Sequence, residues 1–418
     1  MEGEDMKRAV GLIVFLVLVG AMLCVCAKEA ETFTSGDYTY ILNEDGSAVI
    51  TSYTGKAEKL AIPSELDGHT VKGIGNYAFG YCFSLTSISL PDSITTIGDN
   101  AFTYCSLTTI ALPDSITILG TNPWKGCKNL DAINISPNHP SLTIIDRVLC
   151  SKDDKRLVWY PTTSKASNFE IPEGIQSIGD SAFSGCDSLT TITMPDSVTT
   201  IGKFAFYECN SLTTITLSNS ITTIGDAAFR YCDNLTSVTL PDSLTTIGEA
   251  AFEGCENLTS IILPDSITTI GDRAFFYCIK LTTITLPDSI TDLGVNPWLR
   301  CENLATINVS RNHPSLAVID GALYSKTDKR LVWYSMTSKA STFEVPNGIR
   351  IIDNFAFCYC RSLTSITLPE SVTTIGRLAF SDCDNLTFIV PEGSYAEQYC
   401  IDNNLTYQFI NNLDWLND

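Results

Sequence analysis

Cysteine returns along this chain at a fixed interval. Cys186, Cys209, Cys232, Cys255, Cys278 and Cys301 are each 23 residues apart. Cys82 to Cys105 and Cys360 to Cys383 keep that step, and Cys105 to Cys127 is 22. The two remaining gaps, Cys127 to Cys186 and Cys301 to Cys360, are both 59. Since 59 is 23 plus 36, each holds one ordinary step and one enlarged step. A period in the range of roughly 20–50 residues signals a repeat array, in which a single unit cannot bury its own apolar face and neighbours must stack. The 418 residues are therefore read as one elongated stack with ~13 coils about 4.8 Å apart.

One coil, "SLTTITMPDSVTTIGKFAFYEC", shows how the stack is built. Leu189, Ile192 and Met194 point inward from a short strand whose Thr191 and Thr193 point out. Pro195 ends the ladder because it has no N–H to donate. "SVTTI" is a second β-branched run with Val198 and Ile201 inward, and Gly202 makes the turn. Ala205, Phe206 and Cys209 then face the core, read as one helical or 3₁₀ turn.

The pattern L-x-x-I-x-L-P-x-x-[IV]-x-x-I-G-x-x-A-F-x-x-C resembles the BspA-type leucine-rich repeat, the 23-residue class of bacterial and some protist surface proteins. The likeness runs from about Ile62 to Pro391. It implies a β-rich repeat solenoid: a curved, right-handed coil stack of short strands and short helical or 3₁₀ turns, with a cap at each end. "GDYTYILNEDGSAVITSYTG" is similar to that family's N-terminal β-hairpin cap, with Asp45-Gly46 as its turn. "PEGSYAEQYCIDNNLTYQFI" is similar to its closing helix and strand. The layout is then a leader over 1–27, an N-terminal cap over 28–61, a solenoid over 62–390 and a C-terminal cap over 391–418. Departures are few: Ser218 stands where the proline is expected, and "NPWKGC" and "NPWLRC" replace A-F-x-x-C.

Those two coils precede the enlarged steps. Residues 113–172 and 287–346 are about two-thirds identical at a constant offset of 174, and both carry "NHPSL", "DKRLVWY" and "TSKAS". A segmental duplication explains the pair. "LTIIDRVLCSKDDKRLVWY" predicts two strands around "KDDK", a hairpin protruding from the stack. The two insertions span about 136–171 and 310–345. Trp159, Tyr160, Trp333 and Tyr334 lie on them, beside Lys155/Arg156 and Lys329/Arg330. Aromatic and basic side chains on loops suit ligand contact; the alternation equally suits packing of one hairpin face on the solenoid. These four aromatics are the candidate ligand-binding residues.

The other candidates read as structure. Eleven of the sixteen cysteines share one inward position. A metal site needs ligands converging on a point, whereas a 23-residue ladder gives a parallel row, so these thiols are read as small buried hydrophobes. Whether Cys150, Cys358 and Cys400, off the ladder, form disulfides is open. Outward Ser and Thr pairs such as Thr214/Thr216 suit a hydroxyl lattice of ice or sugar, but threonine is also an ordinary former of solvated strands. The row Asp92, Asp114, Asp196, Asp242, Asp265 and Asp288 could attract calcium, or cap turns after proline. His139 and His313, each before proline, are turn residues.

Charge and address complete the reading. A net charge of −21 excludes a nucleic-acid binder, which needs a basic face. "MKRAVGLIVFLVLVGAMLCVCAKEAE" has the basic, apolar and small-residue layout of a secretory leader; left uncleaved, its apolar run is long enough to act as a membrane anchor. No paired acid and base, catalytic nucleophile or cofactor motif stands out. The expectation is a non-enzymatic protein, secreted or on the cell surface, without cofactor. It would bind an extracellular protein in an adhesion-like way, or else a glycan, or serve as a structural spacer of the envelope.

Overall fold

The computed structural model describes residues 31–410, so the leader lies outside the described residues. The chain is a β-solenoid of about 16 turns with almost no helix. Each coil contributes two short strands. Thr191–Thr193 pairs in parallel with Thr214–Thr216, and that with Ser237–Thr239, each residue meeting its counterpart 23 positions on. Thr200–Ile201, Thr223–Ile224 and Thr246–Ile247 form the second parallel ladder. Alternation decides the faces: Ile192, Ile215 and Val238 are buried, while the hydroxyls beside them face outward.

Side chains as well as backbone bind the coils together. Phe183, Phe206, Phe229, Phe252 and Phe275 stack with centroids 5.0–5.5 Å apart. The thiols of Cys209, Cys232, Cys255, Cys278 and Cys301 each donate to the phenylalanine carbonyl of the preceding coil at 3.1–3.2 Å. A thiol here fills an apolar slot and also offers a weak donor to a buried acceptor. Burial pushes the Cys301 thiol up to about 12, which keeps it protonated and unreactive at neutral pH. All fourteen cysteines among the described residues are free, Cys150, Cys358 and Cys400 included. The serine of each P-D-S turn performs a parallel task; Ser197 and Ser243 hydroxyls donate to Ile175 and Ile221 carbonyls at 2.7 and 2.6 Å. Coil spacing is tight enough that a Cβ on Gly202 would lie 2.7 Å from the Asp180 nitrogen.

The A-F-x-x-C segment makes single turns of the 3₁₀ type that do not extend into a helix. Its bonds are single three-residue closures such as Cys209 N–H to Phe206 and Tyr207 N–H to Phe204. Left-handed residues stand just before it and within it, Phe204 at φ 55° and Glu208 at φ 57°, and a helix cannot propagate through such residues. The one α-helix among the described residues, α1 (Tyr395–Asp402), closes the far end, with the Ser394 hydroxyl accepting from the Glu397 N–H. After it Tyr407–Phe409 adds a last parallel strand on Thr387–Val390. At the near end Thr32–Ser35, Tyr38–Leu42 and Ala48–Tyr53 form an antiparallel sheet that passes to the first coil through His69–Ile74.

The insertions differ most from expectation. Each has three strands, not two: Leu142–Ile145, Val148–Ser151 and Arg156–Trp159 in the first, and Leu316–Ile319, Ala322–Ser325 and Arg330–Tyr334 in the second. Nor do they protrude. Arg156–Trp159 joins the second ladder through Ser177–Ile178, and the hairpin of Val148–Ser151 and Arg156–Trp159 is buried on both faces, while the outer strand Leu142–Ile145 stays partly exposed. Leu149, Val158 and Trp159 pack into the N-terminal apolar cluster. Val148, Cys150, Leu157 and Tyr160 pack into the central one. The second insertion repeats this residue for residue, with Leu323, Val332 and Trp333 on the central side. Ala322, Tyr324, Leu331 and Tyr334 face the C-terminal cluster. The insertions are internal walls dividing the core into three compartments.

Candidate functional site

The walls settle where the four candidate aromatics lie. Trp159, Tyr160, Trp333 and Tyr334 are all buried, at 3–6% exposure. Tyr160 stacks on Phe183 at 5.1 Å and its N–H bonds to the Ala182 carbonyl; Tyr334 does the same with Phe357 and Ala356. The two tyrosines thus stand in the phenylalanine ladder. Trp159 and Trp333 sit across the hairpin from Leu149 and Leu323. No face of these rings is available to a ligand in this arrangement.

Other sequence candidates are also occupied. Nδ1 of His139 accepts from the Ser141 and Leu142 N–H groups at 3.3 and 3.2 Å, and Nε2 lies 3.2 Å from the Pro113 carbonyl. His313 repeats the pattern with Ser315, Leu316 and Pro287. With both ring nitrogens engaged, each histidine organises the entry to its wall. The hydroxyl face is not one continuous sheet: it falls into pieces of four, four, two and four strands, and Ile262 interrupts it, 84% exposed. Among the described residues no group of three or more His, Cys, Asp and Glu is placed to hold a metal.

Two clefts lie elsewhere, on the turn face, one beside each wall. Each insertion stands between an N-P-W coil and the next A-F-x-x-C coil. The turn face is recessed there, and the asparagine of N-P-W spans the recess. Asn122 Nδ2 donates to the Ser181 carbonyl at 2.7 Å and Asn296 Nδ2 to the Phe355 carbonyl at 3.2 Å. Both asparagines have positive φ, a conformation that this residue type tolerates well.

The N-terminal notch is a cleft of about 570 Å³ running from Tyr77 and Tyr81 past Lys125 to Phe204. Tyr81 and Tyr104 stack at 5.4 Å, exposed by 59% and 41%; Tyr77 is about as open as Tyr81, and Phe83 is more so. Lys125 Nζ lies 4.8 Å above the Phe204 ring and 5.3 Å above that of Tyr207, and burial lowers its pKa. The C-terminal notch, about 580 Å³, is walled by Phe276, Leu299, Arg300, Tyr359 and Leu378 among others. The Arg300 guanidinium covers the Tyr359 ring at 4.6 Å and donates to its hydroxyl. Cys358 lies on this wall, its thiol pushed up to about 11 by burial.

These surface residues hold demanding backbone positions. The residue before each ladder cysteine is left-handed: Tyr81 at φ 63°, Tyr104 at 56°, Arg300 at 61° and Tyr359 at 62°. Gly126, Gly185 and Gly254 occupy the same column at 72–74°. A non-glycine residue there costs about 1 kcal/mol. Displaying tyrosine or arginine where glycine fits, at that cost, directs attention to the turn face. The repeat pattern treats these columns as free positions, so a reading based on the period passes over them; the recurrence of tyrosine just before the cysteine was the available signal.

Comparison with known proteins bears on the whole chain. A family model described as BspA type Leucine rich repeat region (6 copies) matches residues 52–151, 159–246, 222–329 and 332–412. Among solved structures, a leucine rich cell surface protein from Faecalibacterium prausnitzii A2-165 is similar at 23% identity and TM-score 0.39, covering 94% of this chain and 98% of its own. A leucine-rich repeat protein from Eubacterium ventriosum is 19% identical at TM-score 0.48, covering 84% and 95%. The Pneumococcal vaccine antigen PcpA is 14% identical at TM-score 0.39, covering 91% and 98%. No curated relative matches the chain.

Proposed function

The chain belongs to the BspA-type leucine-rich repeat family, and from that premise we propose that it is a non-enzymatic interaction module, secreted or held at the cell surface, that binds an extracellular protein in an adhesion-like way. Repeat solenoids offer long, rigid surfaces for such binding. The observation that carries the choice of surface is the C-terminal notch. Its Arg300–Tyr359 pair and the 48%-exposed Leu378 combine the residue types that anchor protein interfaces, an arginine and an aromatic beside apolar surface. The surrounding net charge of −21 favours a basic partner and a salt-sensitive on-rate. In this reading the four insertion aromatics hold the notch floors in place and do not touch the ligand. Carbohydrate binding is favoured by a separate observation at the N-terminal notch.

Purified protein tested against a panel of purified extracellular-matrix proteins should bind at least one of them. Arg300→Ala with Leu378→Ser should weaken that binding at least tenfold while leaving the unfolding midpoint within the error of wild type. Binding indifferent to both changes would remove the notch from the interface. No binding to any panel member would favour a structural spacer. The extracellular placement rests on the leader pattern of residues 1–27; N-terminal sequencing of protein recovered outside the producing cell should begin at Lys28.

A further inference from the structure

We propose that the N-terminal notch is a saccharide site that takes a neutral pyranose, independent of any protein contact at the C-terminal notch.

The aromatic surface is the first ground. Six aromatic side chains are conspicuously exposed among the described residues, and four of them, Tyr77, Tyr81, Phe83 and Tyr104, crowd this one stretch of the turn face. Tyr81 lies against Tyr104 on one side and edge-on to Phe83 at 6.1 Å on the other. Tyr104 in turn leans over Gly126, where a Cβ would come within 2.6 Å of its ring. The rings are therefore fixed before any ligand arrives. The electron-rich face of an aromatic ring attracts polarised C–H groups, and one face of a pyranose presents such groups.

The second ground is a set of polar atoms held in place by the backbone. The side-chain oxygens of Asn76, Asp99 and Asp180 accept the N–H groups of Asp99, Thr121 and Lys203, at 2.8, 2.6 and 2.7 Å. Each bond fixes a rotamer and leaves the other half of the amide or carboxylate without a protein partner. Lys125 adds an ammonium with no carboxylate in ion-pair range among the described residues. Acceptors and a donor thus stand opposed across a cleft of about 570 Å³, within the size of small-ligand sites. Because they are already ordered, little freedom is lost on binding.

The same lining disfavours other ligands. It contains no Leu, Ile, Val, Met or Arg, so the guanidinium and aliphatic contacts that mark the C-terminal notch are missing. Lys125 and Lys203 balance Asp99 and Asp180 in the lining, so it is the −21 net charge of the chain that disfavours sulfated or phosphorylated ligands. Hydroxyl groups on a ring with one apolar face match what remains.

The test uses the whole purified protein in titration calorimetry. Probes are neutral tetrasaccharides of glucose, mannose, galactose and N-acetylglucosamine, each free and conjugated to a carrier protein, with heparin as the sulfated comparator. Tyr81→Gly and Tyr104→Gly remove the rings at positions whose backbone suits glycine, so the fold is retained; Tyr81→Phe keeps the stacking surface. We expect at least one neutral probe to bind, at least tenfold more weakly in either glycine variant. Tyr81→Phe should stay within threefold of wild type, and Arg300→Ala should have no effect. Equal binding of free and conjugated forms identifies the sugar itself as the ligand, whichever molecule carries it. Binding only to heparin, binding untouched by the glycine variants, or no neutral probe binding at millimolar concentration would each overturn the proposal. Loss of sugar binding leaves the C-terminal protein contact testable on its own, because Arg300 lies in the other notch.

Discussion

The two notches share one backbone plan and differ in almost every side chain that reaches solvent. Lys125 and Gly126 of the first correspond to Leu299 and Arg300 of the second, Thr121 to Val295, and Phe204 to Leu378. Behind them the walls have barely changed, and "NHPSL", "DKRLVWY" and "TSKAS" stand in both. A strand buried on both faces has no side free to vary, while the rim of a cleft does. One exchange inside the walls follows the same logic. Val148 and Cys150 face the next compartment in the first wall; Ala322 and Tyr324 do so in the second. A smaller neighbour makes room for the larger ring, although the Tyr324 hydroxyl is left without a partner and burial raises its pKa. Duplication supplied two equivalent recesses, and divergence was confined to their linings.

The comparison yields graded tests. Removing a wall tryptophan should have the largest effect: Trp159→Ala and Trp333→Ala should each cost about 3–5 kcal/mol in denaturant unfolding, through lost contacts and a cavity at the join of two compartments. A difference between them greater than about 2 kcal/mol would break the equivalence of the walls. His139→Ala and His313→Ala should come next, at about 3 kcal/mol each, since either change strands two backbone N–H groups and a carbonyl. Thiol labelling separates the notches chemically. Cys358 on the C-terminal notch corresponds to Ser184 near the other. With its pKa raised to about 11, Cys358 is almost all thiol at neutral pH, and the reactive thiolate grows as pH rises toward that value. Iodoacetamide should therefore modify it slowly at pH 7.5 and progressively faster up to pH 10, ahead of buried Cys232 and Cys255. Early labelling of Cys232 would contradict the sealed ladder. The smallest stability change should come from exchanging linings. Lys125→Leu with Gly126→Arg should cost about 1–2 kcal/mol, from the left-handed backbone at position 126 and from pushing aside the Tyr104 ring, which a Cβ there would meet at 2.6 Å, while reducing sugar binding at that notch.

The repeat made much of this architecture readable. A strict 23-residue period fixes coil length, strand register and the inward column together, so Ile192 opposite Ile215 follows from counting. The walls were misread as protruding hairpins because two-sided burial replaces alternation with unbroken apolar runs. "VLC" and "LVWY" read either way in isolation. Counting back 23 from Phe183 and Phe357 lands on Tyr160 and Tyr334, which places both tyrosines in the ring ladder, and that count was available in the sequence. The notches were not. They arise beside the inserted walls, where N-P-W replaces A-F; that departure marks their place along the chain but says nothing of a recess.

The internal walls also govern how the molecule comes apart. In a linear array each coil holds only its neighbours, and unfolding spreads as a front from a frayed end. Here a front entering from either cap meets a wall whose two faces belong to different compartments. Nearest-neighbour coupling therefore changes abruptly at two places along the axis, and the chain divides into three cooperative units of native-state opening. Hydrogen exchange should reveal them as three blocks of amide protection with boundaries at the first and second insertions. Damage at one end is then arrested at a wall, and the notch beyond it keeps its shape.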